Sequence, residues 1–164
     1  MNNTLISVII PVYNYERYLA EAVESVLAQT WGRIETVVVD DSSTDGSADV
    51  AKRFSPLVRY DLQPHVGPGA ARNRGVKLAQ GDYLAFLNAD DLWAGNKLEL
   101  QMAAFNSDTL PDAVFGHVEQ FISPDLSRAP SLFLALLTLL VKSFAMTCRV
   151  EVCQLPSVHN ICAT

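Results

Sequence analysis

Residues 5–12 read LISVIIPV, a β-branched run with almost no polar alternation. A strand with one solvated face alternates apolar and polar side chains, so an unbroken apolar run suits a strand covered on both faces, as in a parallel sheet. A helix should follow. In residues 16–30, ERYLAEAVESVLAQT, the positions Tyr18, Leu19, Ala22, Val23, Val26 and Leu27 recur every three or four residues as one stripe. Glu16 falls in the first turn of that helix, where a carboxylate complements the helix dipole.

Working outward, the same alternation repeats. IETVVV (34–39) reads as a strand, DDSSTDGS as a turn, ADVAKRF as a helix and LVRYDL (57–62) as a strand. HVGPG is then a loop, AARNRGVKLAQ a helix closed by Gly81, and YLAFL (83–87) a strand. A helix near 96–105, with Leu98, Met102 and Phe105 on one face, leads to a last strand around AVFGHVEQF. Strands alternating with short helices imply an α/β fold with a mostly parallel sheet.

The chain of 164 residues is long enough for one compact domain that buries roughly 70% of its unfolded surface. A net charge of -6 and a pI near 4.9 argue against nucleic acid as a partner, since nucleic-acid binders carry a basic face. A phosphorylated ligand would need a cation from elsewhere. The N-terminus lacks the basic head and long apolar stretch of a secretion signal, so a cytoplasmic location is expected. Cys148, Cys153 and Cys162 fit neither a disulfide framework nor a zinc site.

Beyond residue 125 the composition changes. Every acidic residue except Glu151 lies at or before Asp125, and LFLALLTLLV (132–141) is apolar or nearly so throughout. Ten residues are too few to span a bilayer. The readings open for residues 126–164 are a buried or interfacial helix, peripheral attachment at the inner face of the membrane, or a tail not native to the fold.

Chemistry is expected at the carboxyl ends of the strands, where open α/β sheets bind ligands. The first strand ends in Pro11, Val12, Tyr13 and Asn14, the second in Asp40 and Asp41, and YLAFL in Asn88, Ala89, Asp90 and Asp91. Each has a structural explanation: Asn14, Asp90 or Asp91 as a helix cap, Asp41 with Ser42 as a turn. Their recurrence at one edge favours a site, because turns need no clustered charge. If the strand persists, Asn88 and Asp90 share a face. Carboxylates facing a diphosphate would repel it, so a divalent cation with oxygen ligands is expected between them, Mg2+ or Mn2+. Tyr13 offers a face for a base and Asp41 an acceptor for its edge. Arg72 and Arg74 follow on a helix, and at least one of them should be a solvated surface charge.

Four ordered stretches, SVIIPVYNYERYLAEAVESVLAQT, VVVDDSSTDGS, GPGAARNRG and GDYLAFLNADDLWAGNKLELQ, resemble the N-terminal, nucleotide-sugar-binding half of a family 2 glycosyltransferase. The resemblance covers about residues 5 to 120. It implies the GT-A fold, a Rossmann-like three-layer α/β/α sandwich that would be incomplete at its C-terminus here. It further implies inverting transfer of a sugar from a nucleotide diphosphate donor, UDP- or dTDP-linked, to a saccharide or lipid-linked acceptor hydroxyl, assisted by Mg2+ or Mn2+. Cell-surface polysaccharide synthesis is the setting it suggests. By the same resemblance Pro11, Tyr13, Asn14, Asp41, Arg72, Asn88 and Ala89 would line the donor nucleotide, and Asp90 would be the metal ligand of a D-x-D-like motif.

Two departures stand out. Asn88 occupies the first position of the motif, where the family usually has Asp. The family's catalytic base is a later carboxylate, whereas here Glu151 is the sole acidic residue after Asp125, in surroundings unlike the family's. The expectation is therefore a donor-binding region over 1–125 with catalysis impaired. The alternatives are a non-catalytic nucleotide-binding remnant, a complete short transferase with Glu151 as base, and a receiver-like phosphoacceptor domain built on Asp40 and Asp41.

Overall fold

The computed structural model describes residues 4–105, 111–116, 119 and 151–154. The chain divides into two units, residues 1–115 with 150–164, and residues 116–149; of the second, Gly116 and Glu119 are described. In the first unit the elements run β1 (Ile6–Val12), α1 (Leu19–Leu27), β2 (Ile34–Asp40), α2 (Ser47–Arg53), β3 (Val58–Leu62), α3 (Pro68–Leu78), β4 (Tyr83–Phe86), α4 (Lys97–Phe105), β5 (Ala113–Phe115) and β6 (Glu151–Gln154).

β1 carries the core because both of its faces are covered. Ile6, Val8, Ile10 and Val12 join Leu19, Ala22, Val23 and Val26 of α1, Val50 and Ala51 of α2, and Leu98, Met102 and Phe105 of α4 in one buried cluster. On the opposite face Val37 and Val39 of β2 pack with Ala71 and Leu78 of α3. Gly75 of α3 sits directly over Ile9, where a Cβ would run into the Ile9 side chain. An apolar run of period two thus feeds two helical layers.

The sheet order is β3-β2-β1-β4-β6-β5, with β3, β2, β1 and β4 parallel and β6 antiparallel to both β4 and β5. The expected α/β architecture with a mostly parallel sheet is what forms. Residues 151–154, which the composition assigns to the apolar tail, make the strand between β4 and β5. The stretch LFLALLTLLV, Cys148 and Cys162 lie outside the described residues. Among the described residues no helix is long and apolar enough to cross a membrane.

Three local expectations are corrected. Helix α1 begins at Leu19, so Glu16 is not in its first turn; the Glu16 carboxylate instead accepts the Gly46 N–H at 2.9 Å, at the start of α2. Asp45 completes that cap by accepting the Ser47 N–H at 3.0 Å. Helix α3 starts earlier, with Pro68 following Gly67 at φ 104°, and ends at Leu78. Gly81 therefore does not close it; it lies at the entry to β4, where a Cβ would stand 2.7 Å from the Ser7 backbone nitrogen. The strand YLAFL stops at Phe86, one residue short, and Asn88 is already in a turn.

Candidate functional site

Two central strands part company where the sheet meets this site. Leu87 donates its N–H to Ile9 O at 3.1 Å, whereas Asp41 donates to Val12 O at 2.9 Å. Since the sides of a parallel strand alternate, Pro11 faces β4, and having no N–H it contributes no further donor there. Beyond Phe86 the chain turns away. β1 lies between β2 and β4, where the order of connections reverses, and a crevice at that switch point is the usual ligand site of an open α/β sheet.

The loop after β1 is tied to the loop after β2. Asn14 adopts φ 58°, a left-handed conformation that Asn tolerates, and its Oδ1 accepts the Thr44 N–H at 2.7 Å. Its own N–H reaches Ser43 Oγ at 3.0 Å. Asn14 does not cap α1; it clamps two strand ends together. Tyr13 remains 40% exposed beside it.

The two acids closing β2 behave differently. Asp40 accepts from the Ser43 N–H at 2.7 Å and from the Tyr60 hydroxyl at 2.8 Å, which makes it part of the turn. Burial and then the Asp40 carboxylate push the Tyr60 phenol upward. Asp41, whose side chain is 3% exposed, points into the loop after β3. It accepts Gln63 Nε2 at 2.6 Å, Val66 N at 3.0 Å and Gly67 N at 2.8 Å, and pairs with His65 Nδ1 at 2.9 Å. Burial alone would raise its pKa, but these hydrogen bonds outweigh it and hold the carboxyl below its ordinary value. The His65 ring lies 4.2 Å from the Tyr13 ring, centroid to centroid, tilted by 32°.

After β4, Asn88 joins two groups. Its Oδ1 accepts from Arg72 of α3 at 2.8 Å, and its Nδ2 donates to Asp91 at 2.9 Å. Asp91 N bonds back to Asn88 O at 3.2 Å, closing a turn over Asn88, Ala89, Asp90 and Asp91. Ala89 is buried at the centre of that turn and Asp90 is exposed. Asn88 Nδ2 thus bonds Asp91, three residues on in a turn, because strand geometry ends before this point. Asp91 does not cap α4 either, for Gln29 Oε1 accepts the Leu98 N–H there at 3.0 Å. Arg74, in contrast with Arg72, is turned outward and paired with Asp61.

Sequence reasoning passed over three residues of this region. Gln63 and His65 follow β3, and the carboxyl-end rule applied to LQPH would have found them. Tyr15 is the third. The charge of Asp90 is the main cause that raises its phenol, followed by burial and by a hydrogen bond to Asp90, with Asp91 adding to the effect. The negative charge of both acids is thus felt at the Tyr15 phenol.

Asp90 and Asp91 could offer oxygen donors to a hard divalent cation. Among the described residues no three His, Cys, Asp or Glu side chains gather as a metal cage. Magnesium does not need one, since it is commonly held by one or two carboxylates, water and substrate phosphates. Asp90 and Asp91 supply that donor type.

A family model described as glycosyl transferase family 2 matches residues 7–155. An uncharacterized glycosyltransferase of Rickettsia felis is 40% identical over 119 residues, which are 71% of this chain and 19% of that relative. Among solved structures, S. aureus TarS 1-349 in complex with UDP superposes with a TM-score of 0.62 at 29% identity, over 73% of this chain and 38% of that one. Mannosyltransferase PcManGT from Pyrobaculum calidifontis, in complex with GDP-Man and Mn2+, gives a TM-score of 0.62 at 28% identity, over 71% and 36%. This chain spans 19% of the Rickettsia relative and well under half of either solved chain.

Proposed function

The chain belongs to glycosyl transferase family 2, and from that premise we propose that it binds a nucleotide diphosphate sugar, UDP- or dTDP-linked, as the donor-binding region of an inverting glycosyltransferase. The observation that carries the proposal is that Tyr13 follows β1, Asp41 follows β2, and Asn88 and Asp90 follow β4 on the carboxyl-end rim of the sheet, with Arg72 of α3 bonded to Asn88. Pro11 and Asn14 shape the near wall and Ala89 packs under the far one. The base stacks on Tyr13 and addresses Asp41, sharing or displacing His65, while the ribose lies toward Asn88. Neighbours solved with UDP and with GDP-Man support a nucleotide in this crevice.

In an acidic chain, a cation beside Asp90 offsets the repulsion between carboxylates and diphosphate. Asp90 would hold Mg2+ or Mn2+ with Asp91 beside it; bound there, the ion supplies charge stabilisation for the departing diphosphate. The solved neighbour with Mn2+ supports the use of a divalent cation.

Inverting transfer also needs a base within hydrogen-bond reach of the acceptor hydroxyl. Glu151 is the sole acidic residue after Asp125. We therefore expect this chain alone to bind donor and transfer little or no sugar to a saccharide or lipid-linked acceptor. A cytoplasmic setting at or near the inner face of a membrane fits such a role. Calorimetric titration with UDP, with and without Mn2+, tests the donor site: binding that strengthens with Mn2+ is expected, and no binding to folded protein under either condition overturns the reading.

A further inference from the structure

A carboxylate offers about four lone-pair positions, two on each oxygen. Among the described residues, donors fill all four positions of Asp41. Oδ1 takes Gln63 Nε2 at 2.6 Å and Val66 N at 3.0 Å, and Oδ2 takes Gly67 N at 2.8 Å and His65 Nδ1 at 2.9 Å. A base edge can therefore reach this carboxylate only where one of these donors withdraws. Val66 and Gly67 donate from the backbone, and Gln63 is buried. The His65 side chain is 56% exposed, and it can turn about its own bonds without disturbing the backbone of the loop.

The same imidazole covers Tyr13. The two ring centroids are 4.2 Å apart with a tilt of 32°, a stacked rather than an edge-on contact. His65 Nδ1 also lies 3.0 Å from Asp41 O. Carboxylate and carbonyl are both acceptors, so Nδ1 is the nitrogen that carries the proton. His65 thus brings a flat ring to Tyr13 and an N–H to Asp41, the two contacts that the donor-site reading assigns to a nucleobase.

We propose that His65 is an internal competitor for the base position, and that a nucleotide binds by replacing its imidazole on Tyr13 and Asp41. The proposal rests on the donor-site reading above and adds a side chain that sets the affinity of that site. The loop survives the exchange, because Val66 N and Gly67 N stay on Asp41 while an N–H of the base takes the position that His65 leaves. Apparent affinity is the intrinsic affinity multiplied by the fraction of molecules in which the position is open, so a competitor seated in about nine molecules of ten weakens binding about tenfold.

Two measurements on the full chain test this. Calorimetric titration with UDP, Mn2+ present throughout, compares wild type with H65A, which clears both Tyr13 and Asp41 and should bind up to about tenfold more tightly. Equal or weaker binding by folded H65A overturns the proposal and leaves the donor-site reading intact, since it means that the base stacks on His65 rather than replacing it. No binding of UDP to either folded protein overturns both. The second measurement needs no substitution. The nuclear Overhauser contact between the His65 imidazole and the Tyr13 ring should be present in wild type without nucleotide and vanish at saturating UDP. A contact that persists at saturation, or is missing from the start, overturns the proposal.

Discussion

At the scale of single residues, Asp40 and Asp41 show how one residue type takes its meaning from its partners. Asp40 and Asp41 are adjacent acids at one strand end, but Asp40 is held by the turn while Asp41 organises the loop from Gln63 to Gly67. Replacing Asp41 by Asn turns one acceptor oxygen into a donor facing the buried N–H groups of that loop, so D41N should lose about 2–3 kcal/mol at pH 7, measured by urea denaturation. The pH dependence follows from the depressed folded pKa. Stabilisation by the carboxylate is full above its unfolded value, roughly 3.9, and is lost as the pH falls through the lower folded value. The gap between wild type and D41N should therefore narrow as denaturation is repeated toward pH 3; a gap that stays constant would mean that Asp41 is not held by these bonds.

At the scale of elements, α3 is the piece that brings Arg72 to Asn88, and its seat on β1 depends on Gly75. A methyl group there runs into Ile9, which is fully buried and has nowhere to move. Overpacking of this kind costs about 1–3 kcal/mol, against a gain of up to about 1 kcal/mol in helix propensity. G75A should be a net loss of about 1–2 kcal/mol in chemical denaturation. A stabilised G75A would show that α3 does not sit this close to the sheet. The loops obey a similar logic. Glu16 caps α2 from across the chain while Asp45 caps it locally, and Gln29 caps α4. The N-termini of α2 and α4 are thus each secured by a residue from another segment, so these loops depend on the segment beside them.

At the scale of the whole molecule, the sheet runs from β3 at one edge to β5 at the other, and residues 151–154 supply the strand between β4 and β5. A chain ended at Ser127 would lose that strand and leave β4 as an exposed edge, a template for association. We expect such a truncation to melt lower and to associate, measured by thermal unfolding and light scattering; a truncated protein that is equally stable and more soluble would show that residues 126–164 are dispensable to the fold. Much of this architecture is legible in the sequence, because side-chain periodicity is local. LISVIIPV, IETVVV and the apolar stripe of α1 encode strand, strand and helix with both faces of the sheet covered. The carboxyl-end rule likewise singled out Tyr13, Asn14, Asp41 and Asn88 through Asp91. Partnerships are not local. Whether Glu16 serves its own helix or another, whether Asn88 shares a strand face with Asp90 or a turn with Asp91, and which of Arg72 and Arg74 turns inward depend on where the strand stops and how α3 lies on it. By itself the sequence determined the layers of this protein and singled out the rim on which the donor site is proposed. Tertiary structure alone decided which side chains on that rim hold one another, since a hydrogen bond is settled by distances between segments that periodicity does not encode.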